Sequence, residues 1–156
     1  MTISALGKID FNADIGESFA GYELGLDSEI VKYITSGNIA TGFHASDPDW
    51  MAKTVNLAIA HGIGIGAHPA YPALVGFGRR NMDLTPSEVR NAVTYQIGAL
   101  AAFTPDRKLQ HVKPHGALYN TAVRDEAVAE AIVSAVKAFD PELIHVVLAG
   151  SQWESS

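Results

Sequence analysis

The chain has no cysteine, which excludes disulfides, thiolate metal centres and a cysteine nucleophile. Basic residues are scarce: 11 Lys and Arg against 17 Asp and Glu leave a formal charge of −6. That balance gives no electrostatic reason to expect nucleic acid or an anionic membrane as partner. No apolar run approaches the ~20 residues that span a bilayer. The N-terminus, Met1-Thr-Ile-Ser-Ala-Leu-Gly-Lys8, lacks the charged-then-apolar order of a secretory leader, so a cytoplasmic protein is expected. Phosphate-binding loops are missing too. Gly62-Ile-Gly-Ile-Gly66 is not a dinucleotide fingerprint, and no G-x-x-x-x-G-K-[ST] occurs.

What is present is a chain of 156 residues, 47% hydrophobic, with a mean hydropathy of +0.10. This suits one well-buried core and is too short to argue for two domains. Short strand-like runs are expected at 8–12, 38–43, 62–67, 109–113 and 143–148, separated by helical patterns, which favours a parallel sheet. Asp27 is expected to cap a short helix through Ile34. Asp47-Pro48 reads as N-cap and first-turn proline of a helix that stops at Gly62, and Thr85-Pro86-Ser87-Glu88 as a capping box. Asp125 opens a last helix, ended by Asp140-Pro141. The long irregular stretches, 15–26 and 69–84, each follow a polar cluster.

Alternation along the strands separates two faces. Ile9 and Phe11 oppose Asp10, Asn12 and Asp14; Ile39 and Phe43 oppose Asn38, Gly42 and His44. Ile63, Ile65 and Ala67 oppose three glycines and His68, and Val112 opposes His111, Lys113 and His115. One face suits packing helices. The other is small or polar, which a barrel interior tolerates better than a sheet covered on both sides.

Four runs end in groups fit for acid–base or ligand chemistry: Asn12-Ala-Asp14-Ile-Gly-Glu17, Gly42-Phe-His44, Gly66-Ala-His68-Pro69 and Lys113-Pro-His115. Asp14 and Glu17 fit general-base, histidine-orienting or metal-binding roles, although Asn and Asp before Gly are also ordinary turn residues. Asp14, His44 and His68 have the composition of a facial metal triad; a hydrogen-bonded structural histidine is the blander account of each ring. A lysine inside a barrel needs an anion, so Lys113 either pairs with Asp10 or Asp14 or holds a substrate carboxylate or phosphoryl group beside His115. Arg79 and Arg80 in Gly76-Phe-Gly-Arg-Arg80 are candidates for clamping an anion, unless the segment is a solvated turn. His61 and His145 look structural; His111 is open.

These motifs are recognisable. Asn12-Ala-Asp-Ile-Gly-Glu-Ser18, Asn38-Ile-Ala-Thr-Gly-Phe-His-Ala45, Gly66-Ala-His-Pro69, Gly76-Phe-Gly-Arg-Arg80 and Val112-Lys-Pro-His-Gly-Ala-Leu-Tyr-Asn120 resemble the LamB/YcsF family of 5-oxoprolinase A subunits. The resemblance implies a (β/α) barrel of the glycoside hydrolase/deacetylase type, here about five parallel strands with helices outside. It implies ATP-dependent opening of the 5-oxoproline lactam to L-glutamate, carried out with subunits B and C. Asp14, Glu17, His44, His68, Lys113 and His115 are then the expected catalytic groups. Asn12, Arg79, Arg80 and Tyr119 are the expected cofactor contacts. Related deacetylase barrels hold a divalent metal with Asp, His and His, matching Asp14, His44 and His68. Ser46, Ala70 and Ala73 depart from the family pattern, and Ala73 in place of Asp would remove a carboxylate from the mouth. A full barrel needs about 250 residues. The chain is therefore expected to be a single, C-terminally incomplete barrel domain, with Val146, Leu148 and a sheet edge left for self-association to cover. Two other readings stay open: a metal-dependent amidase or deacetylase without ATP, and a shortened, non-catalytic subunit.

Overall fold

The computed structural model describes residues 9–151 and 153. In chain order the elements are β1 (Asn12–Ile15), α1 (Asp27–Ile30), β2 (Ser36–Ala40), α2 (Pro48–His61), β3 (Gly64–His68) and α3 (Pro86–Ala101). A 3-10 turn at Pro105–Arg107 leads to β4 (His111–Val112), α4 (Gly116–Ala122), α5 (Glu126–Phe139) and β5 (Ile144–His145). Each strand pairs in parallel with the next, giving the order β1-β2-β3-β4-β5. A doubly wound sheet reverses its strand order partway; a β/α barrel winds in one direction, as here. Right-handed crossovers in that order bring the helices to one face. Ile15, Ile39, Ala67 and Val112 point to that side and are buried with Val55, Val93, Ile97, Leu118 and Ile132. Among the described residues no helix is long and apolar enough to cross a membrane.

The helix signals act as the sequence implies. Asp47 caps α2, its Oδ1 accepting from the N–H groups of Asp49 and Trp50, and α2 stops at Gly62 with φ +65°. Thr85 and Glu88 form the reciprocal capping box of α3. Asp125 accepts from Val128 N–H at the start of α5.

The strand limits differ from expectation, and each shift has a local cause. Lys8 lies outside the described residues. β1 starts at Asn12 because the Thr35 hydroxyl, not a ladder carbonyl, takes the Phe11 N–H. Ile9 and Phe11 do not join the packed face; they are 77% and 61% exposed, and Ile15 is the buried member instead. The helix that follows β1 is a single turn and covers little. Asp27 is its first residue rather than its cap, since its carboxylate accepts the Gly16 N–H. β2 ends at Ala40, before Gly42 turns with φ +93°. Pairing at β4 is wider than its two residues, with Gln110 and Lys113 N–H bonding to Ile65 and Ala67 carbonyls. In the β5 region Val146 is partly covered and Leu148 is 49% exposed.

A buried amide fastens the loops that follow β2 and β3. Gln96 of α3 is fully buried; its Oε1 accepts from Ala70 N–H and the Thr41 hydroxyl, and its Nε2 donates to the Ala70 carbonyl. Gln96→Leu keeps the volume but strands these partners. Leaving buried polar groups unpaired costs ~1–3 kcal/mol each, so a total loss of about 2–4 kcal/mol is expected in urea denaturation. A loss below ~1 kcal/mol would show that the clamp contributes no stability.

Candidate functional site

The polar face of the sheet carries one connected network. Asn12 and Asn38 exchange amide hydrogen bonds, and Asn12 also donates to the Ser36 hydroxyl. Asn38 donates onward to Asp14, while its Oδ1 accepts from His111 Nε2 at 2.6 Å. Residues on alternate strand positions thus meet across β1, β2 and β4, as parity requires. Gly66 makes room for this: a Cβ there would collide with the His111 ring.

At the carboxyl end of the sheet, Asp14 Oδ1 accepts from Lys113 Nζ at 2.8 Å and lies 3.4 Å from His68 Nε2. Burial raises the Asp14 pKa, but His68, Lys113 and Asn38 outweigh it and hold the carboxyl far below its usual range. Lys113 therefore has the carboxylate partner its place in the sheet demands.

Beside this pair, His44, His68 and His115 converge with Glu17. The His44 and His115 rings stack at 3.8 Å with an interplanar angle of 5°, and His68 meets both edge-on. His44 Nε2 lies 3.1 Å from Glu17 Oε1, His68 Nε2 lies 3.1 Å from His115 Nδ1, and His115 Nδ1 lies 3.7 Å from Glu17 Oε1. All three rings are buried. Burial depresses the His44 pKa, with Glu17 opposing, and depresses His115 to about 4 with help from His44 and His68. A donor atom from each of Glu17, His44, His68 and His115 lies within 4.8 Å of every other, a grouping compatible with a divalent metal ion.

The other expected residues are placed as follows. Arg79 and Arg80 are exposed, with the Arg79 guanidinium 5.7 Å from the Phe77 ring centre. Tyr119 packs on Trp153 and the core. His61 bonds the Leu57 carbonyl within its helix, and His111 belongs to the amide network. The 76–80 segment holds residues that the sequence reading did not single out. The Phe77 carbonyl accepts from His115 Nε2 at 2.8 Å, and the Phe77 ring meets His44 and His115 edge-on. Gly78 closes over the stack, where a Cβ would lie 2.7 Å from His44 Cβ and 2.8 Å from His115 Cδ2. The glycine spacing was the available signal, and it marked close approach rather than flexibility.

A singly wound parallel α/β sheet with acid–base groups gathered at its strand ends places the chain among proteins with barrel-type sites. The family model described as "LamB/YcsF family" matches residues 9–156, and the chain belongs to that family. Among similar proteins is the A subunit of 5-oxoprolinase from Thermococcus onnurineus, 58% identical over 147 residues, covering 93% of this chain and 58% of the relative. The protein of the same name from Syntrophobacter fumaroxidans is 57% identical over 146 residues, covering 92% and 58%. The crystal structure of the lactam utilization protein from Thermus thermophilus superposes with a TM-score of 0.92 at 52% identity, covering 96% of this chain and 61% of that one. The chain thus spans about three-fifths of the length of these relatives.

Proposed function

We propose that this chain acts as the A subunit of an ATP-dependent 5-oxoprolinase, opening the 5-oxoproline lactam to L-glutamate together with subunits B and C. The observation that carries this reading is 54–58% identity to proteins named as the A subunit of 5-oxoprolinase, over nearly the whole chain. Opening an unstrained five-membered lactam is unfavourable near neutrality, which gives coupling to ATP its chemical purpose. Phosphorylation of the lactam oxygen would make the carbonyl carbon open to water, with ADP, phosphate and glutamate as products.

In this reading Lys113 exchanges Asp14 for the substrate carboxylate. Neutral His115 and His44, with Glu17 beside them, accept the proton of the attacking water. Arg79 and Arg80 are the exposed cations that reach a phosphoryl group. Asn12 and Tyr119 have less to offer a nucleotide, because one is engaged by Ser36 and Asn38 and the other packs on Trp153. The five strands and their helices are taken as one domain that forms part of a barrel, working in the cytoplasm where ATP is available.

The test is reconstitution with subunits B and C, reading 5-oxoproline-dependent formation of ADP and glutamate. Turnover is the expected result. If a full-length relative supports turnover with those subunits and this chain does not, the activity does not belong to this chain. The Glu17–histidine cluster favours a second reading, metal-assisted amide hydrolysis without ATP. Glutamate formed without ADP would select it.

A further inference from the structure

We infer that Glu17, His44, His68 and His115 are the ligands of one divalent transition-metal ion of the zinc class. The inference starts from hydrogen positions. A carbonyl oxygen only accepts, so the ring nitrogen facing it carries the hydrogen. His68 Nδ1 faces the Lys113 carbonyl, and His115 Nε2 faces the Phe77 carbonyl. In the neutral rings the remaining nitrogens, His68 Nε2 and His115 Nδ1, then present bare lone pairs to each other across 3.1 Å. Two lone pairs do not bond; the contact needs a positive centre. A shared proton supplies it in the metal-free protein, with Asp14 Oδ1 3.4 Å from His68 Nε2 to balance it, and a metal ion would replace that proton. Glu17 Oε1 completes that side 3.7 Å from His115 Nδ1, with His44 Nε2 a further 3.1 Å from the carboxylate. The proton between His44 and Glu17 leaves when a cation enters.

The spacing suits an ion. Metal–ligand bonds of ~2.0–2.1 Å in a tetrahedron set neighbouring donors about 3.3–3.4 Å apart. Three of the six donor separations, 3.1, 3.1 and 3.7 Å, bracket that edge, and all six lie within 4.8 Å, so a modest inward movement of the donors completes the shell. Three imidazoles and one carboxylate select zinc, cobalt, iron or manganese over magnesium or calcium, which favour all-oxygen shells. Holding the second nitrogen of a ligating histidine on a carbonyl is how metal sites fix their rings, and two of the three rings have this support. The carboxylate is Glu17 rather than Asp14, because Asp14 Oδ1 is already shared by Lys113 and Asn38. Asp14 instead approaches His68 from the side. A bound ion of this class would supply Lewis acidity to a carbonyl oxygen or a water.

A bound ion would occupy the lone pairs of His44 Nε2 and His115 Nδ1, so their proton-accepting role belongs to the metal-free protein alone. The inference is tested apart from ring opening, because binding is read without substrate, nucleotide or partner subunits. Chelator-stripped protein is titrated with Zn²⁺ by calorimetry and with Co²⁺ by visible absorption. One ion per chain and the d–d bands of a nitrogen–oxygen Co²⁺ site are expected. Glu17→Gln, nearly isosteric, should weaken Zn²⁺ binding about 100-fold or more, whereas Asp14→Asn should change it less than ~10-fold. Co²⁺ titration of the unsubstituted protein tests the site even if a variant fails to fold. Absence of Zn²⁺ and Co²⁺ binding overturns the inference. So does a loss in Asp14→Asn equal to that in Glu17→Gln, which would put the ion on the other carboxylate.

Discussion

Gly78→Ala is expected to be among the most damaging single-methyl additions available to this chain, costing about 2–5 kcal/mol of a total stability that is typically ~5–15 kcal/mol. Two penalties coincide. Gly78 has φ +62°, a left-handed conformation that costs an L-residue about 1–2 kcal/mol. The new Cβ would also press on His44 Cβ and His115 Cδ2 at 2.7 and 2.8 Å, and overpacking a filled interior costs ~1–3 kcal/mol. The rings cannot step aside, since His115 is tied to the Phe77 carbonyl and both lie in one stack. Gly62→Ala separates the two penalties. Its φ is +65°, yet nothing lies within 4 Å of the added carbon, so only the backbone cost of about 1–2 kcal/mol remains. Urea midpoints of both variants measure the difference. Equal midpoints would mean that the 77–79 segment does not seal the histidine stack.

Acid should destabilise the metal-free protein before Asp14 titrates. Burial depresses the His111 pKa from 6.5 to about 4. Between those values the unfolded chain holds the proton that the folded chain rejects, so stability rises with pH across that window. Contributions are complete above about pH 6.5 and drain away down to about pH 4. At ~1.4 kcal/mol per unit, His111 alone accounts for about 3 kcal/mol. His44 and His115 are shifted in the same direction. Asp14 acts lower down: its stabilisation is present above its unfolded value of 3.8 and is lost as pH falls towards its depressed folded value. Urea midpoints from pH 7 to 4.5 in the presence of chelator follow the loss. His111→Gln offers Asn38 a donor but no titrating ring, and it should flatten the slope by the His111 share. A variant with the parent slope would show that His111 is not held neutral.

Much of this site could be read from residue order because β-strands alternate. Asn12, Asp14, Asn38, His68, His111 and Lys113 share a face for that reason alone. The need of a half-buried cation for an anion left Asp10, Asp14 or a substrate anion as partners of Lys113, and the fold brings Asp14 to it. The caps at Asp47, Thr85 and Asp125 were equally legible, since side-chain oxygens beside a helix start have few alternative partners. Alternation loses its hold where φ becomes positive. Gly16, at φ +71°, redirects the chain after β1, so the position of Glu17 among the histidines could not be counted from Asp14. The same limit hid the 76–80 segment. Its arginines drew attention as charges, while its structural work is done by a carbonyl, a ring and a missing Cβ. Ile9 and Phe11 misled for another reason: an apolar face is buried only where a helix is long enough to cover it, and α1 is one turn.

The orientation of His68 and His115 rests on main-chain oxygens of residues 113 and 77 rather than on carboxylate side chains. A carboxylate can be lost by one substitution; a peptide oxygen cannot. Replacing residues around this cluster can delete a ring or crowd it, but the direction in which either surviving ring offers its lone pair is set by the path of the backbone. Shifting that direction would take movement of the two segments themselves, and Gln96 of α3 holds one of them, the loop behind β3, through the Ala70 backbone. The cluster is therefore better regarded as a property of the chain trace than of its side-chain neighbours.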